Sequence, residues 1–219
     1  MHLHAAFVPP AETVEVLAAL VRSLEPPPPQ RAVTSHRDES KRGLFGRRAA
    51  APAVVPEPEP VTPGVPMLDL LEPDQMLIPV TDFGWLTADD ARRVGDVLAK
   101  VCAELPPAPM VMVQGGSALV DPDDRSVWAN LAASDDDLRA MGDIARALVS
   151  GIEPLGYYRD RRKFKARLPV ATITDATTVE HLERVLATME LYRSTPWQVG
   201  EVTIFRRGSG VWRTLPVGG

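Results

Sequence analysis

The apolar positions of the chain switch between a period of two and a period of about 3.6, and each switch marks an element. Met1 to Val8 alternates like a short strand, and Pro9 and Pro10 end it. Ala11 to Leu24 then carries Val14, Val16, Leu17, Leu20, Val21 and Leu24 as a helical stripe. Order returns at Met67, and Gln75 to Val80 reads as a strand. Thr87 to Leu105 is a helix: Thr87 caps it, Asp90 sits at the third position, and Ala91, Val94, Leu98 and Val101 form the buried face. Pro106 and Pro107 stop it. Met110 to Val113 and Ser126 to Leu131 read as strands around a turn holding Gly115, Gly116 and Asp121 to Arg125. Ser134 caps a helix that runs to about Gly151 through Leu138, Met141, Ile144, Ala145 and Leu148. Phe164 to Ile173 is a strand, Thr177 and Thr178 cap a helix with Leu182, Val185, Leu186 and Met189, and Gln198 to Arg206 is a further β-rich run.

Between Glu25 and Pro66 both periods vanish. The segment opens on Pro26 to Pro29, closes on PEPEPVTPGVP and has few large apolar residues. It cannot bury enough surface to offset its ordering entropy, so an extended, mostly disordered insert is expected. At about 3 Å per residue for polyproline-like chain, it would reach tens of ångströms from the body. Inside it, SKRGLFGRR sets Lys41, Arg42, Arg47 and Arg48 around Leu44 and Phe45. These residues are either a solvated linker or a docking motif for an acidic partner or nucleic acid.

Composition narrows the classes. At 219 residues and 45% hydrophobic content, one domain of two lobes has a sufficient core. The net charge of −5 means that a polyanion site must be a local basic patch. The most basic ordered-looking stretch is YYRDRRKFK, Tyr157 to Lys165. Cys102 stands alone in a helical pattern and reads as a packed apolar residue, so no disulfide forms within the chain and a reducing, cytoplasmic setting is expected. The sequence has no basic region ahead of a long apolar run and no stretch near the length of a membrane span.

Candidate ligands are few. His2 and His4 project on one strand face without a third ligand, so neither a metal nor another cofactor is expected. Asp89–Asp90 and Asp135 to Asp137 lie in first helical turns, where acids complement the dipole. Met110 and Met112 read as core, and Gly115–Gly116 is too short for a phosphate loop. His181, beside Glu180 at a helix start, reads as a surface residue.

Several of these stretches carry a resemblance. The strand at Phe164 to Ile173, the run Tyr192, Arg193, Ser194, Pro196, Trp197, Val199, Glu201, Val202 and Phe205, the opening Val8-Pro9-Pro10, and Val127-Trp128-Ala129 are similar to the 2H phosphoesterase superfamily. The nearest group is that named for 2′,5′ RNA ligase and RNA 2′,3′-cyclic phosphodiesterase. The likeness covers nearly the whole chain apart from the insert. It implies an α+β fold of two pseudo-symmetric lobes, each an antiparallel sheet backed by helices, with a central cleft. Residues 1–24 would be the first strand and helix, 25–66 the insert and 67–219 the remainder.

The family's two His-x-Thr motifs are what the resemblance lacks. The second falls on Arg167 and Pro169. For the first, aligning Gly84 without a gap puts Leu77 and Pro79 at the motif positions, and this register is the one expected, because Leu77-Ile78-Pro79-Val80 then echoes Arg167-Leu168-Pro169-Val170; sliding by two retains Thr81 but puts Pro79 at the histidine. A proline within a strand removes a ladder donor, so both strands must pair on one side only or end nearby. In the family, one histidine takes a proton and the other gives one, each step contributing roughly 10²–10⁴-fold. None of His2, His4, His36 and His181 occupies a motif position, so no catalytic residue is assigned.

Arginine cannot serve as a base, but its planar fork meets two phosphate oxygens at once. Arg161, Arg162, Lys163 and Arg167 are therefore the candidate phosphate-binding residues. The leading expectation is a catalytically degenerate relative that binds a nucleotide, an RNA end or a protein partner. An active cyclic phosphodiesterase with non-standard residues is one alternative. The other is an assembly module whose proline-rich arm makes the contacts.

Overall fold

The computed structural model describes residues 1–25, 66–106, 108–121, 124–157 and 162–218. In chain order the elements are β1 (His2–Phe7), α1 (Ala11–Arg22), β2 (Leu68–Leu70), β3 (Ile78–Trp85), α2 (Ala88–Ala103), β4 (Met110–Asp121), β5 (Asp124–Ala132), α3 (Asp135–Ile152), β6 (Arg167–Ile173), α4 (Val179–Leu191), β7 (Trp197–Gln198), β8 (Glu201–Arg206) and β9 (Gly210–Pro216). They form two sheets, in the orders β3-β1-β8-β9 and β2-β6-β5-β4-β7. Every pairing is antiparallel. Helix α4 packs on β4, α3 on β3 and β4, and α2 on α3 and β9. This is the α+β arrangement of two antiparallel sheets backed by helices.

Helix starts follow their caps. The Thr87 hydroxyl accepts from the Asp90 amide at 3.2 Å, Ser134 from Asp137 at 3.1 Å and Thr178 from His181 at 3.1 Å. Thr177, the other candidate, serves the preceding turn instead and accepts from the Thr174 amide at 3.0 Å. The stripes expected from spacing are buried: Leu17 and Val21 on α1, Val94 and Leu98 on α2, Ile144 and Leu148 on α3, Val185 and Met189 on α4.

The prolines obey the donor rule. Pro79 lies on the edge strand β3, which pairs only with β1. Pro169 lies within β6, but β2 pairs with β6 only from Ala171 to Ile173, so at Pro169 the strand has β5 alone, across a bulge at Val127–Trp128.

Some elements differ from expectation. The strand expected from Gln75 begins at Ile78 and runs to Trp85, because Pro73 to Gln75 close a single 3-10 turn. Gly115 and Gly116 are not a turn: β4 runs through them with a bulge, and Gly115 takes φ 77°, open to glycine at little cost. The last β run splits at Gly200, where the chain passes from the second sheet (β7) to the first (β8). Strand β9 follows and forms the far edge of the first sheet.

His181 is not on the surface. It is 1% exposed, with Nε2 2.9 Å from Glu25 Oε1 and Nδ1 2.9 Å from Arg184 Nη2. The other carboxylate oxygen of Glu25 accepts from the Met67 amide at 3.0 Å. Thr174 donates to the Pro66 carbonyl at 2.8 Å, and Thr177 donates to that of Met67. The chain on either side of residues 26–65 thus meets at one point. The insert itself, with Lys41, Arg42, Leu44, Phe45, Arg47 and Arg48, lies outside the described residues. No described helix is long and apolar enough to cross a membrane.

Candidate functional site

The two sheets face each other across a cleft of about 560 Å³. One wall is made by β1 and β3, which contribute His4, Pro79, Thr81 and Asp82; the other by β5 and β6, which contribute Asp124, Trp128 and Arg167. The segment from Arg162 to Lys165 borders it. Among the described lining residues, four cationic side chains therefore meet two carboxylates, Asp82 and Asp124, in a protein of net charge −5. This is the local basic patch that a polyanion site requires.

Arg167 is fixed from below. Its guanidinium carbon sits 3.8 Å from the centre of the Trp128 ring, on the neighbouring strand. The indole is in turn held, since its Nε1 donates to Ser126 Oγ, and Ser126 bonds to Asp124. Among the described residues no carboxylate pairs with Arg167. Phe164 packs edge-on against Phe7, ring centres 6.1 Å apart, and so anchors the segment that brings Lys163 and Lys165 to the cleft.

The opposite wall carries two polar groups with unusual surroundings. Thr81 is 6% exposed, and its hydroxyl has no hydrogen-bond partner among the described residues. A buried hydroxyl left so costs about 1–3 kcal/mol. His4 lies directly between Asp82 of β3 and Phe205 of β8 in the strand register, and stacks on Phe205 at 5.5 Å and 15°. Burial pushes its pKa below the ordinary histidine value, against the pull of nearby Asp82. Asp82 Oδ1 accepts from the Gly84 amide at 2.6 Å and lies 3.3 Å from His2 Nε2.

The structure brings Pro79, Thr81, Arg162, Lys163 and Arg167 to one cleft. Leu77 precedes β3 and Pro169 lies on β6 opposite Trp128; neither is among the lining residues. Arg161 is outside the described residues. His4 is the residue that sequence reasoning passed over, although the alternation of β1 already set it on one face with His2. The missing information was the pairing of β1 with β3. His4 is the one histidine among the lining residues, so no described pair of imidazoles confronts the other across this cleft. No group of three described His, Cys, Asp or Glu side chains is placed to hold a metal ion.

No family model matches the sequence, and no curated protein matches it. Solved structures do. TT0787 of Thermus thermophilus superposes with a TM-score of 0.58 at 16% identity, over 100% of this chain and 99% of its own. A structure described as a phosphoesterase gives 0.57 at 15% identity, over 100% and 98%. E. coli LigT complexed with 3′-AMP gives 0.56 at 14%, also over 100% and 98%.

Proposed function

We propose that this chain, which has the 2H phosphoesterase-like fold, binds a nucleotide or an RNA end through its phosphate and lacks the two-imidazole chemistry of that fold's enzymes. The observation that carries this reading is Arg167, seated on Trp128 without a carboxylate partner among the described residues, in a cleft that Lys163 and Lys165 border. A guanidinium held in place meets two phosphate oxygens with little further loss of freedom. It cannot exchange a proton near neutral pH. Thr81 lines the opposite wall of the same cleft. Pro79 and Thr81 line the cleft and Leu77 does not, which favours the alignment that retains Thr81 over the gap-free one expected from the sequence, and puts Pro79 at the first histidine position, where no side-chain donor or acceptor exists. With arginine and proline in place of both acid–base groups, roughly 10²–10⁴-fold per group is lost. That LigT is seen with 3′-AMP supports a nucleotide as the ligand.

The test is titration with 3′-AMP, 2′,3′-cyclic AMP and a short oligoribonucleotide, with chromatography of the cyclic nucleotide after prolonged incubation. Binding that Arg167→Ala weakens about tenfold or more, with the cyclic nucleotide recovered intact, is the expected outcome. Turnover abolished by Arg167→Ala would make the protein an enzyme. Absence of binding to all three would remove the phosphate site.

A further inference from the structure

We infer that His4, set opposite the cationic wall, makes the cleft select a terminal phosphomonoester over a phosphodiester, cyclic or linear. The inference rests on the phosphate-binding reading and names the ligand class within it.

No hydrogen bond or ion pair from a described residue engages either ring nitrogen of His4. The ring is nonetheless fixed, stacked on Phe205 and lining the same cleft as Lys163, Lys165 and Arg167. Its nitrogens are thus open to whatever occupies that space. The charged and titratable described groups around it are Asp82 from β3, His2 from its own strand, Arg207 just beyond β8, and, across the cleft, Asp124 with the cations Arg162, Lys163, Lys165 and Arg167. Burial is the largest influence among its neighbours and favours the neutral ring.

The two ligand classes act differently on such a ring. A phosphomonoester has a second pKa near 6, so at neutral pH it is mostly a dianion. A phosphodiester carries one negative charge and no ionisable hydroxyl. Arg167, Lys163 and Lys165 attract both. A dianion beside a neutral imidazole favours its protonated form, so His4 takes a proton from solvent and becomes a charge-assisted donor. The singly charged diester exerts less of this pull and meets a neutral ring. The extra ion-paired hydrogen bond goes to the monoester. The proton balance separates this from the cations alone, since these stabilise the dianion and would make a bound phosphate release protons, the opposite sign.

The experiment is calorimetric titration of the wild-type protein with 3′-AMP and with 2′,3′-cyclic AMP, in two buffers of different ionisation enthalpy. A preference of about tenfold for 3′-AMP at neutral pH is expected, with net proton uptake for 3′-AMP only. The preference shrinks as the pH rises above neutrality, because the proton His4 must bind becomes scarcer. His4→Gln, which bonds but does not ionise, brings 3′-AMP down towards the cyclic nucleotide and abolishes the uptake. Equal wild-type affinities, proton release on 3′-AMP binding, or a preference that His4→Gln leaves undiminished would overturn the inference and leave the phosphate site standing. Failure of both nucleotides to bind would take down the phosphate site as well. Proton uptake is read on the wild-type protein, so the result does not depend on the variant folding.

Discussion

Arg184 decides which nitrogen of His181 carries the proton. Its Nη2 lies 2.9 Å from His181 Nδ1, and a guanidinium can only donate. Nδ1 therefore accepts, and Nε2–H donates to Glu25 Oε1 at 2.9 Å. Replacing His181 by alanine leaves a largely buried carboxylate and a guanidinium without the group between them. We expect His181→Ala to cost about 2–3 kcal/mol, read as a lower urea midpoint with an unchanged slope.

On the proposed phosphate-binding reading, Trp128 acts on the nucleotide through Arg167, whose guanidinium it carries. Trp128→Leu keeps apolar volume under the guanidinium but removes the π face, and should weaken 3′-AMP about threefold. In the Arg167→Ala background the same change should have no further effect. A full additional loss in the double variant would show that the indole contacts the nucleotide itself.

Tyr157 ties its loop to α2 by donating to Asp90 Oδ1. The bond holds the Asp90 carboxyl below its usual pKa, with Thr87 assisting, and the Tyr157 phenol above its usual value. A depressed carboxylate contributes stability that is present above its unfolded pKa and lost as pH falls through the folded one. A raised phenol contributes stability present below its unfolded pKa and lost as pH rises through the folded one. Tyr157→Phe should flatten both limbs of the thermal-midpoint profile, more completely on the alkaline side, because Thr87 still bonds Asp90. An unchanged profile would show that the contact is not formed in solution.

Two glycines of α3 should respond with opposite signs. A Cβ on Gly142 meets nothing within 4 Å, so Gly142→Ala gains helix propensity and stabilises by about 0.5–1 kcal/mol. On Gly151 it would stand 2.7 Å from Val101 Cγ2, a β-branched side chain of α2 with little freedom to turn aside. Gly151→Ala should lower the thermal midpoint while Gly142→Ala raises it.

The fold was largely legible because its signals are local. Thr87, Ser134 and Thr178 cap the helices they precede, and the prolines at 79 and 169 sit where only one neighbour strand needs a donor. What escaped depends on pairing between distant strands. His4 enters the cleft because β1 lies between β3 and β8, and nothing near residue 4 encodes that. His181 is a different case. It stands four and eight residues before Val185 and Met189, on the buried stripe of α4, so spacing marked it as interior while its polarity and its neighbour Glu180 argued for the surface. Gly115 and Gly116 suggested a turn by residue type, whereas the strand uses them to bulge and to pass close to Met189 and Glu190.

The grip of Glu25 on both His181 and the Met67 amide has a topological outcome. Positions far apart along the polypeptide are brought to a single doorway at the turn between β6 and α4, so the body closes on itself whatever is threaded between them. A foreign module whose own termini adjoin can be grafted there, hung from one hinge point and leaving both sheets intact.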